Sequence, residues 1–145
     1  MPIKREYPDA PIAGVGAVII DHGRVLLVRR GNPPMIGEWS IPGGAVELGE
    51  TVLGSVIREV REETGMVVEP MALLGVYDRI IRGDEGRILY HYVLIDFLCI
   101  RIAGEPQAAS DCKEAKWFTS EEVKRIPLSP DTIQVIHLGF EKAGK

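Results

Sequence analysis

The chain has 145 residues, a hydrophobic fraction of 46%, a charged fraction of 26% and a formal net charge of −4. This length and balance predict a single globular domain, residues 1–145, and exclude an intrinsically disordered chain. The acidic balance also argues against a nucleic-acid partner, because domains that bind nucleic acids are usually basic.

The N-terminal and cysteine patterns favour a cytoplasmic protein. Residues 1–11 contain no apolar core of a signal peptide. No apolar run reaches the length of a membrane span, because Asp96 interrupts the stretch 92–100, and no membrane partner is expected. Cys99 and Cys112 lack CxxC spacing, which predicts free thiols in a reducing compartment and disfavours a zinc site.

The first predicted elements are two strands joined by a tight turn. Residues 12–20 are apolar with interspersed glycines, residues 21–23 form a turn, and residues 24–30 return as a second strand. Trp39 then precedes a short strand that leads to the turn at Pro42 and Gly43. We expect Trp39 to pack in the core, while lining of a substrate cleft and stacking on a base remain open.

A helix is predicted between Thr51 and Gly65. Thr51 can cap its N-terminus, and Gly65 can take the left-handed conformation that ends it. Apolar residues recur at three- and four-residue spacing and predict one packing face. These residues are Leu53, Val56, Ile57 and Val60.

This helix also carries a group of carboxylates. Glu59, Glu62 and Glu63 are separated by steps of three and four, which places them side by side. Most glutamate-rich helix faces are simply solvated, but like charges at this spacing repel and also suit a divalent cation. Mg²⁺ prefers hard oxygen ligands and often shares its coordination with substrate phosphates. Arg58, four residues before Glu62, can pair with that residue or orient a neighbour.

A second hairpin is predicted after the helix. Residues 66–82 read as extended segments interrupted by Pro70, residues 83–86 form a turn, and residues 87–101 form a long strand. Tyr90 and Tyr92 share one face of that strand. Cross-strand packing and stacking on a nucleobase are both open for these rings.

The C-terminal part is predicted to contain one strand and two helices. Residues 114–119 form the strand, and the Thr119 to Glu122 spacing predicts a capping box on a short helix over residues 121–125. Ser129 and Pro130 begin the last helix. Its predicted packing face contains Ile133, Val135, Ile136, Leu138 and Phe140.

Residues 44–66, GAVELGETVLGSVIREVREETGM, resemble the Nudix box, G-x5-E-x7-R-E-U-x-E-E-x-G-U with U apolar, at every fixed position. The preceding WSIPGG, residues 39–44, is similar to the family's approach to the box. The resemblance implies an α/β fold, a mixed β-sheet sandwiched between α-helices. It also implies Mg²⁺-dependent hydrolysis of the pyrophosphate linkage in a nucleoside diphosphate derivative.

The same resemblance implies roles for individual residues. The implied ligands of Mg²⁺, for which Mn²⁺ can substitute, are the Gly44 carbonyl, Glu59, Glu62 and Glu63. The implied catalytic residues are Glu59, Glu62, Arg58 and Glu114. Arg58 is expected to orient a box glutamate, while Glu114 is the candidate general base outside the box, with Asp111 as its alternative.

Arginines are the candidates for binding the substrate phosphates. Those chosen are Arg29, Arg79 and Arg82; strand alternation prevents Arg29 and Arg30 from facing one cleft together. ADP-ribose or a related nucleotide sugar is the leading substrate. Where ADP-ribose pyrophosphatases often carry a proline beyond the box, this chain has Ile81 and Arg82. A nucleoside triphosphate pyrophosphohydrolase and a non-catalytic nucleotide-sensing domain therefore remain open, and the family resemblance also implies a homodimer.

Overall fold

The structure is a computed structural model that describes residues 4–31, 37–109 and 112–144. This part of the chain alternates strands with three α-helices. In chain order the elements are β1 (Ile12–Asp21), β2 (Arg24–Arg30), β3 (Trp39–Ser40), β4 (Gly43–Ala45), α1 (Val52–Thr64), β5 (Val67–Arg82), β6 (Ile88–Ala103), β7 (Cys112–Thr119), α2 (Ser120–Val123) and α3 (Pro130–Ala143). A short 3₁₀ turn, Asp84–Gly86, joins β5 to β6.

β1 lies at the centre of a mixed sheet. It pairs in parallel with β6, from Ile12 opposite Tyr92 to Ile19 opposite Cys99, and antiparallel with β4. β5 completes this side by pairing antiparallel with β6. On the other side, β2 pairs with the end of β1 and with both β3 and β7. The mixed pairing confirms the predicted mixed sheet.

Alternate residues of β1 enter two separate hydrophobic clusters, because successive side chains of a strand point to opposite faces. Val15 and Ile19 pack in one cluster with Val60 of α1. Val18 packs in the other with Ile136 of α3. The sheet is therefore covered by α1 on one face and by α3 on the other, which confirms the predicted helix–sheet–helix sandwich.

The ends of α1 are those that its sequence predicts. The Thr51 hydroxyl accepts a hydrogen bond from the Gly54 N–H at 3.0 Å. Gly65 ends the helix with φ 77°, and its N–H donates to the Arg61 carbonyl. These contacts satisfy backbone groups that would otherwise be unpaired at the helix ends.

The buried face of α1 differs from the predicted one. Val56 and Val60 are buried, but Leu53 and Ile57 are 52% and 37% exposed. The inward stripe continues from Val60 to Glu63, which is only 5% exposed. The sheet therefore covers a face that is rotated from the apolar one, and this rotation turns one box glutamate inward.

The C-terminal helices begin at their predicted caps, although α2 spans Ser120–Val123 and not the predicted residues 121–125. The Thr119 N–H donates to Glu122 and the Thr119 hydroxyl accepts from the Glu122 N–H, which confirms the capping box. In α3, Val135 and Ile136 are buried, whereas Ile133 is 49% exposed and lies outside the packing face. In the described residues, no helix is both long and apolar enough to cross a membrane.

Candidate active site

The backbone of β4 lies directly against two glutamates of α1. The Gly43 N–H donates to Oε1 of Glu63 at 3.1 Å. A Cβ placed on Gly44 would lie 2.4 Å from Cδ of Glu59, so the carboxyl group of Glu59 occupies the space that a side chain at position 44 would need. The glycines therefore allow a close approach between carboxylates and backbone.

Arg58 connects α1 to the loop that precedes it. Its Nε and Nη2 donate to the two carboxylate oxygens of Glu50 at 2.5 and 2.9 Å. Its Nη1 donates to Glu59 at 2.8 Å and to Glu62 at 3.2 Å, and Nη2 also reaches the Ala45 carbonyl at 3.1 Å. One guanidinium group thus holds three box carboxylates.

These contacts determine the charge state of the cluster. The hydrogen bond from Arg58, followed by the backbone N–H of Glu47, lowers the pKa of Glu50 to about 2. The hydrogen bond to Glu50 also raises the pKa of Arg58, despite desolvation, and Glu59 and Glu62 raise it further. Both partners remain ionised at neutral pH, and the positive charge of Arg58 offsets repulsion among the glutamates.

The predicted metal ligands lie close together along α1 and β4, but their carboxylates are engaged with other groups. Arg58 contacts Glu59 and Glu62, while Cys112 Sγ donates to Oε2 of Glu63 at 3.2 Å. Over residues 4–31, 37–109 and 112–144, no three Asp, Glu, His or Cys side chains form a cluster ready to hold a metal ion. The donor atoms nevertheless suit a hard divalent cation, because the glutamate carboxylates lie against the backbone of β4.

Glu114, the candidate base outside the box, lies on β7 opposite Arg29 of β2. Its carboxylate accepts from Nη1 of Arg29 at 2.7 Å. Cys112, at the start of the same strand, contacts Glu63. β7 therefore runs past the α1 carboxylates, with Glu114 held in an ion pair. Asp111, the alternative base, lies outside the described residues.

A cavity of about 150 Å³ adjoins β4. Gly43 and Gly44 line it, so β4 contacts both the α1 carboxylates and the cavity. A cavity of this size can accept an aromatic ring. Its larger apolar and aromatic lining residues are Val15, Trp39, Ile41, Tyr77, Tyr92 and Leu94, and its charged lining residues are Arg5, Arg30, Glu38, Arg79, Asp96 and Asp131.

The predicted phosphate-binding arginines occupy different places. Arg79 lines the cavity. Arg29 pairs with Glu114, and Arg82 is exposed at the hairpin turn, where it donates to the Gly86 carbonyl at 3.0 Å. Arg30 lines the cavity while Arg29 does not, as expected from strand alternation.

Trp39, Tyr90 and Tyr92 make aromatic contacts within the fold, and two of them also line the cavity. Trp39 packs edge to face against Phe118, with ring centroids 5.2 Å apart, and also lines the cavity. Tyr90 and Tyr92 are both buried, and their rings stack with centroids 6.4 Å apart. Tyr92 in addition reaches the cavity.

Sequence reasoning missed Asp96 as a cavity residue and treated it only as an interruption of an apolar stretch. Asp96 lies on β6 and is 6% exposed. Burial, and then the nearby charge of Asp131, raise the pKa of its carboxyl group to about 6. The available signal was a lone acidic residue inside the apolar strand YVLIDFLCI, since aspartate is seldom buried.

Comparison with known proteins agrees with this fold. The NUDIX domain family matches residues 10–138. An ADP-ribose pyrophosphatase of Methanocaldococcus jannaschii is 37% identical over 123 residues, which cover 85% of this chain and 70% of that protein. A MutT NUDIX hydrolase from Burkholderia pseudomallei has a TM-score of 0.79 at 32% identity, covering 90% of this chain and 98% of that one. The NUDIX domain of Shewanella oneidensis NrtR, in complex with ADP-ribose, has a TM-score of 0.73 at 26% identity, covering 93% of this chain and 90% of that one.

Proposed function

Because the chain belongs to the Nudix hydrolases, we propose that it hydrolyses the pyrophosphate linkage of a nucleoside diphosphate derivative, with ADP-ribose or a related nucleotide sugar as substrate and Mg²⁺ as metal ion. Pyrophosphate hydrolysis with a divalent cation is the reaction of this family. The proposed part is the identity of the substrate and of the metal.

The observation that supports this substrate class most directly is the position of β4 between two different environments. Gly43 and Gly44 contact the carboxylates of Glu63 and Glu59, and the same glycines line the aromatic cavity. A nucleoside diphosphate suits both environments, because its base is a flat ring that fits an aromatic cavity and its phosphates are anionic groups that bind a metal ion. With the base in the cavity, the pyrophosphate lies beside β4 and the α1 carboxylates.

The names of similar proteins support ADP-ribose as the first candidate. The relative from Methanocaldococcus jannaschii is named an ADP-ribose pyrophosphatase, and the Shewanella oneidensis domain was solved with ADP-ribose. The lining of the cavity is compatible with this substrate. Arg30 and Arg79 supply positive charge at the cavity, where phosphate oxygens need it.

Each box residue then has a distinct task. Glu59, Glu62, Glu63 and the Gly44 carbonyl would hold the cation, which would supply charge neutralisation at the phosphates and activation of a water molecule. Arg58 orients the Glu59 and Glu62 carboxylates through its hydrogen bonds to both. Glu50 in turn positions Arg58 through its two hydrogen bonds.

The general base is assigned to a carboxylate near this cluster. Glu62 is the more accessible box candidate, since its side chain is 50% exposed. Glu114 is the candidate outside the box, and it must leave its ion pair with Arg29 to accept a proton. Replacing each with glutamine, and comparing the pH dependence of kcat, separates the two assignments.

The function is tested with a panel of nucleotides, each assayed with Mg²⁺ and with Mn²⁺ and scored by product identity. Hydrolysis of ADP-ribose to AMP and ribose 5-phosphate is the expected result. Release of pyrophosphate from nucleoside triphosphates, with ADP-ribose left intact, would instead make the chain a triphosphate pyrophosphohydrolase. Tight nucleotide binding without turnover would indicate a sensing domain.

The proposed setting is the cytoplasm, and the proposed assembly is a homodimer. Cys99 and Cys112 form no disulfide with each other, which agrees with a reducing compartment. The edge strand β5 carries apolar side chains that solvent reaches. These are Met71, Leu73, Val76 and Ile80, which are 54%, 53%, 57% and 49% exposed. Such a row on an edge strand is suited to burial against a second copy of the chain.

A further inference from the structure

Asp96 occupies an unusual position in the cavity wall. It lies on β6 among apolar residues and is only 6% exposed, yet it lines the cavity next to β4. Acidic side chains are rarely buried to this extent without a partner. The burial of Asp96 at the cavity wall therefore suggests that its carboxyl group has a function there.

The neighbouring strand leaves room for this carboxyl group. Gly16 of β1 is paired with Asp96 in the parallel ladder. A Cβ on Gly16 would lie 2.3 Å from Oδ1 of Asp96 and 2.7 Å from Cδ1 of Ile41. The carboxyl group thus lies over a glycine, with an apolar wall formed by Ile41 beside it.

No group that the structure describes donates a hydrogen bond to this carboxyl. Asp131 also lines the cavity, and its negative charge, after burial, raises the pKa of the Asp96 carboxyl group. Tyr77 also lines the cavity, and burial, then Asp96 and Asp131, raise the pKa of its phenol, which keeps it protonated. The carboxyl group lines the cavity, so a ligand there that brings an N–H group supplies the donor that the described residues do not.

We propose that Asp96 is a specificity-determining residue that accepts a hydrogen bond from the exocyclic amino group of the substrate base. It thereby selects an amino base such as adenine over its oxo counterpart hypoxanthine. This inference rests on the proposed function in one respect, because it requires that the cavity holds the base of a nucleotide.

The chemistry of the carboxyl group explains the selection. The pKa of Asp96, raised to about 6, still leaves the group mostly ionised above pH 7. An ionised carboxylate only accepts hydrogen bonds, so it pairs with an amino group and repels a carbonyl oxygen at the same position. Asp131 strengthens this preference, because it adds a second negative charge at the same cavity.

The test measures equilibrium binding of two matched ligands, ADP-ribose and inosine diphosphate ribose, to the full chain in EDTA. These ligands differ at C6, which carries an amino or an oxo group, and at the adjacent N1, which bears a hydrogen only in the oxo base. The absence of metal prevents turnover. We expect the wild-type protein to bind ADP-ribose at least about tenfold more tightly than inosine diphosphate ribose. An oxo group facing Asp96 places two acceptors against each other, which costs as much as a lost hydrogen bond.

Asp96→Asn separates this role from a general effect on the cavity. An amide of the same shape can present either its oxygen or its NH₂ group, so it serves amino and oxo bases alike. We expect the ratio of the two affinities to fall close to one in this variant. Asp78→Asn, an equally conservative change at an exposed position of β5, is the control and should keep the wild-type ratio.

An affinity ratio near one in the wild-type protein would overturn the proposal by itself. A folded Asp96→Asn protein that keeps the wild-type affinity ratio would also overturn it. Addition of Mg²⁺ then tests the hydrolytic function separately. Selective binding without turnover would leave the role of Asp96 standing and overturn the hydrolytic proposal. Turnover of both ligands at equal affinity would overturn the role of Asp96 alone. Failure to bind either ligand, followed by no turnover after Mg²⁺ is added, would overturn both.

Discussion

Glu59 packs so tightly on Gly44 that both the Cδ and Oε2 atoms of its carboxyl group lie 2.4 Å from where a Cβ of residue 44 would be. Real Cβ atoms do not approach other atoms so closely, so any side chain at position 44 must displace Glu59 or β4. The contact joins α1 to β4 at the point where we place the metal ion.

The first prediction concerns this contact. Gly44→Ala should move the Glu59 carboxylate and weaken Mg²⁺ binding, and we expect activity to fall by about 10- to 100-fold, the range typical of lost support for a metal ligand. Titration of activity against Mg²⁺ measures the effect. Gly144→Ala, just after α3, is the control; its Cβ meets only ordinary contacts of 3.4 Å or more, and activity should stay close to wild type.

A second prediction concerns the exposed member of the carboxylate group. The Glu62 side chain is 50% exposed, so Glu62→Gln should leave the fold intact. We expect kcat to fall by about 100-fold because an amide oxygen is a weaker ligand for Mg²⁺ and no longer a base. Glu69→Gln on β5, an exposed glutamate of the hairpin, should change nothing. Near-wild-type turnover by Glu62→Gln with Mg²⁺ would contradict the assignment.

The third prediction separates the shape of Arg58 from its charge. Arg58 uses its planar group to reach Glu50, Glu59 and the Ala45 carbonyl together. Lysine cannot make this set of contacts, so Arg58→Lys should raise the Mg²⁺ concentration needed for half-maximal rate by about tenfold. Arg61→Lys, at an exposed position of the same helix, is the matched control. Equal Mg²⁺ curves for the two variants would rule out an orienting role for Arg58.

A fourth prediction uses the stability of the chain as a function of pH. The pKa of Asp96 rises from 3.8 in the unfolded chain to about 6 in the fold. The native protein therefore holds a proton that the unfolded chain releases, and Asp96 lowers the free energy of unfolding as pH rises through this window.

Asp96→Asn removes that dependence. The variant should be more stable than wild type at pH 8, by up to about 3 kcal/mol, and the difference should vanish near pH 4. Urea unfolding at pH 4, 5, 6 and 8 measures it. Parallel stability profiles for the two proteins would mean that Asp96 titrates normally in the fold.

The fifth prediction addresses the apolar row on β5. Leu73 and Val76 are each more than half exposed, so Leu73→Asp and Val76→Lys should leave the monomer folded and shift a dimer toward monomers in sedimentation experiments. Ile133→Lys on α3, also at an exposed apolar position, should not change the assembly. A wild-type protein that sediments as a monomer at all concentrations would refute the proposed homodimer.

Features that depend on residues close together in the sequence were predictable. The caps of α1 at Thr51 and Gly65 and the capping box of α2 depend on residues a few positions apart, and the structure places them where the sequence indicates. The Nudix box is likewise contiguous, so its fixed residues could be recognised without knowledge of the fold. What the box residues contact was less accessible, because Gly43 and Glu63 meet only after β4 packs on α1.

Features that depend on distant pairing were not predictable. The position of Asp96 over Gly16 results from the parallel register of β6 on β1, and no periodicity in either strand reports that register. The ion pair between Arg29 and Glu114 similarly requires the antiparallel register of β7 on β2. The exposure of Leu53 and Ile57 arises because the sheet selects the face of α1 that it covers, and hydrophobic spacing alone does not.

The parallel pairing of β1 with β6 has a consequence for how the protein is made. β1 leaves the ribosome well before its long partner β6, because paired residues such as Ile12 and Tyr92 lie far apart in the sequence. The nascent chain must therefore carry an apolar strand without its neighbour until the β5–β6 hairpin has emerged. Because contacts between distant segments form slowly, we expect this strand to be the part of the young polypeptide that most needs shielding by chaperones.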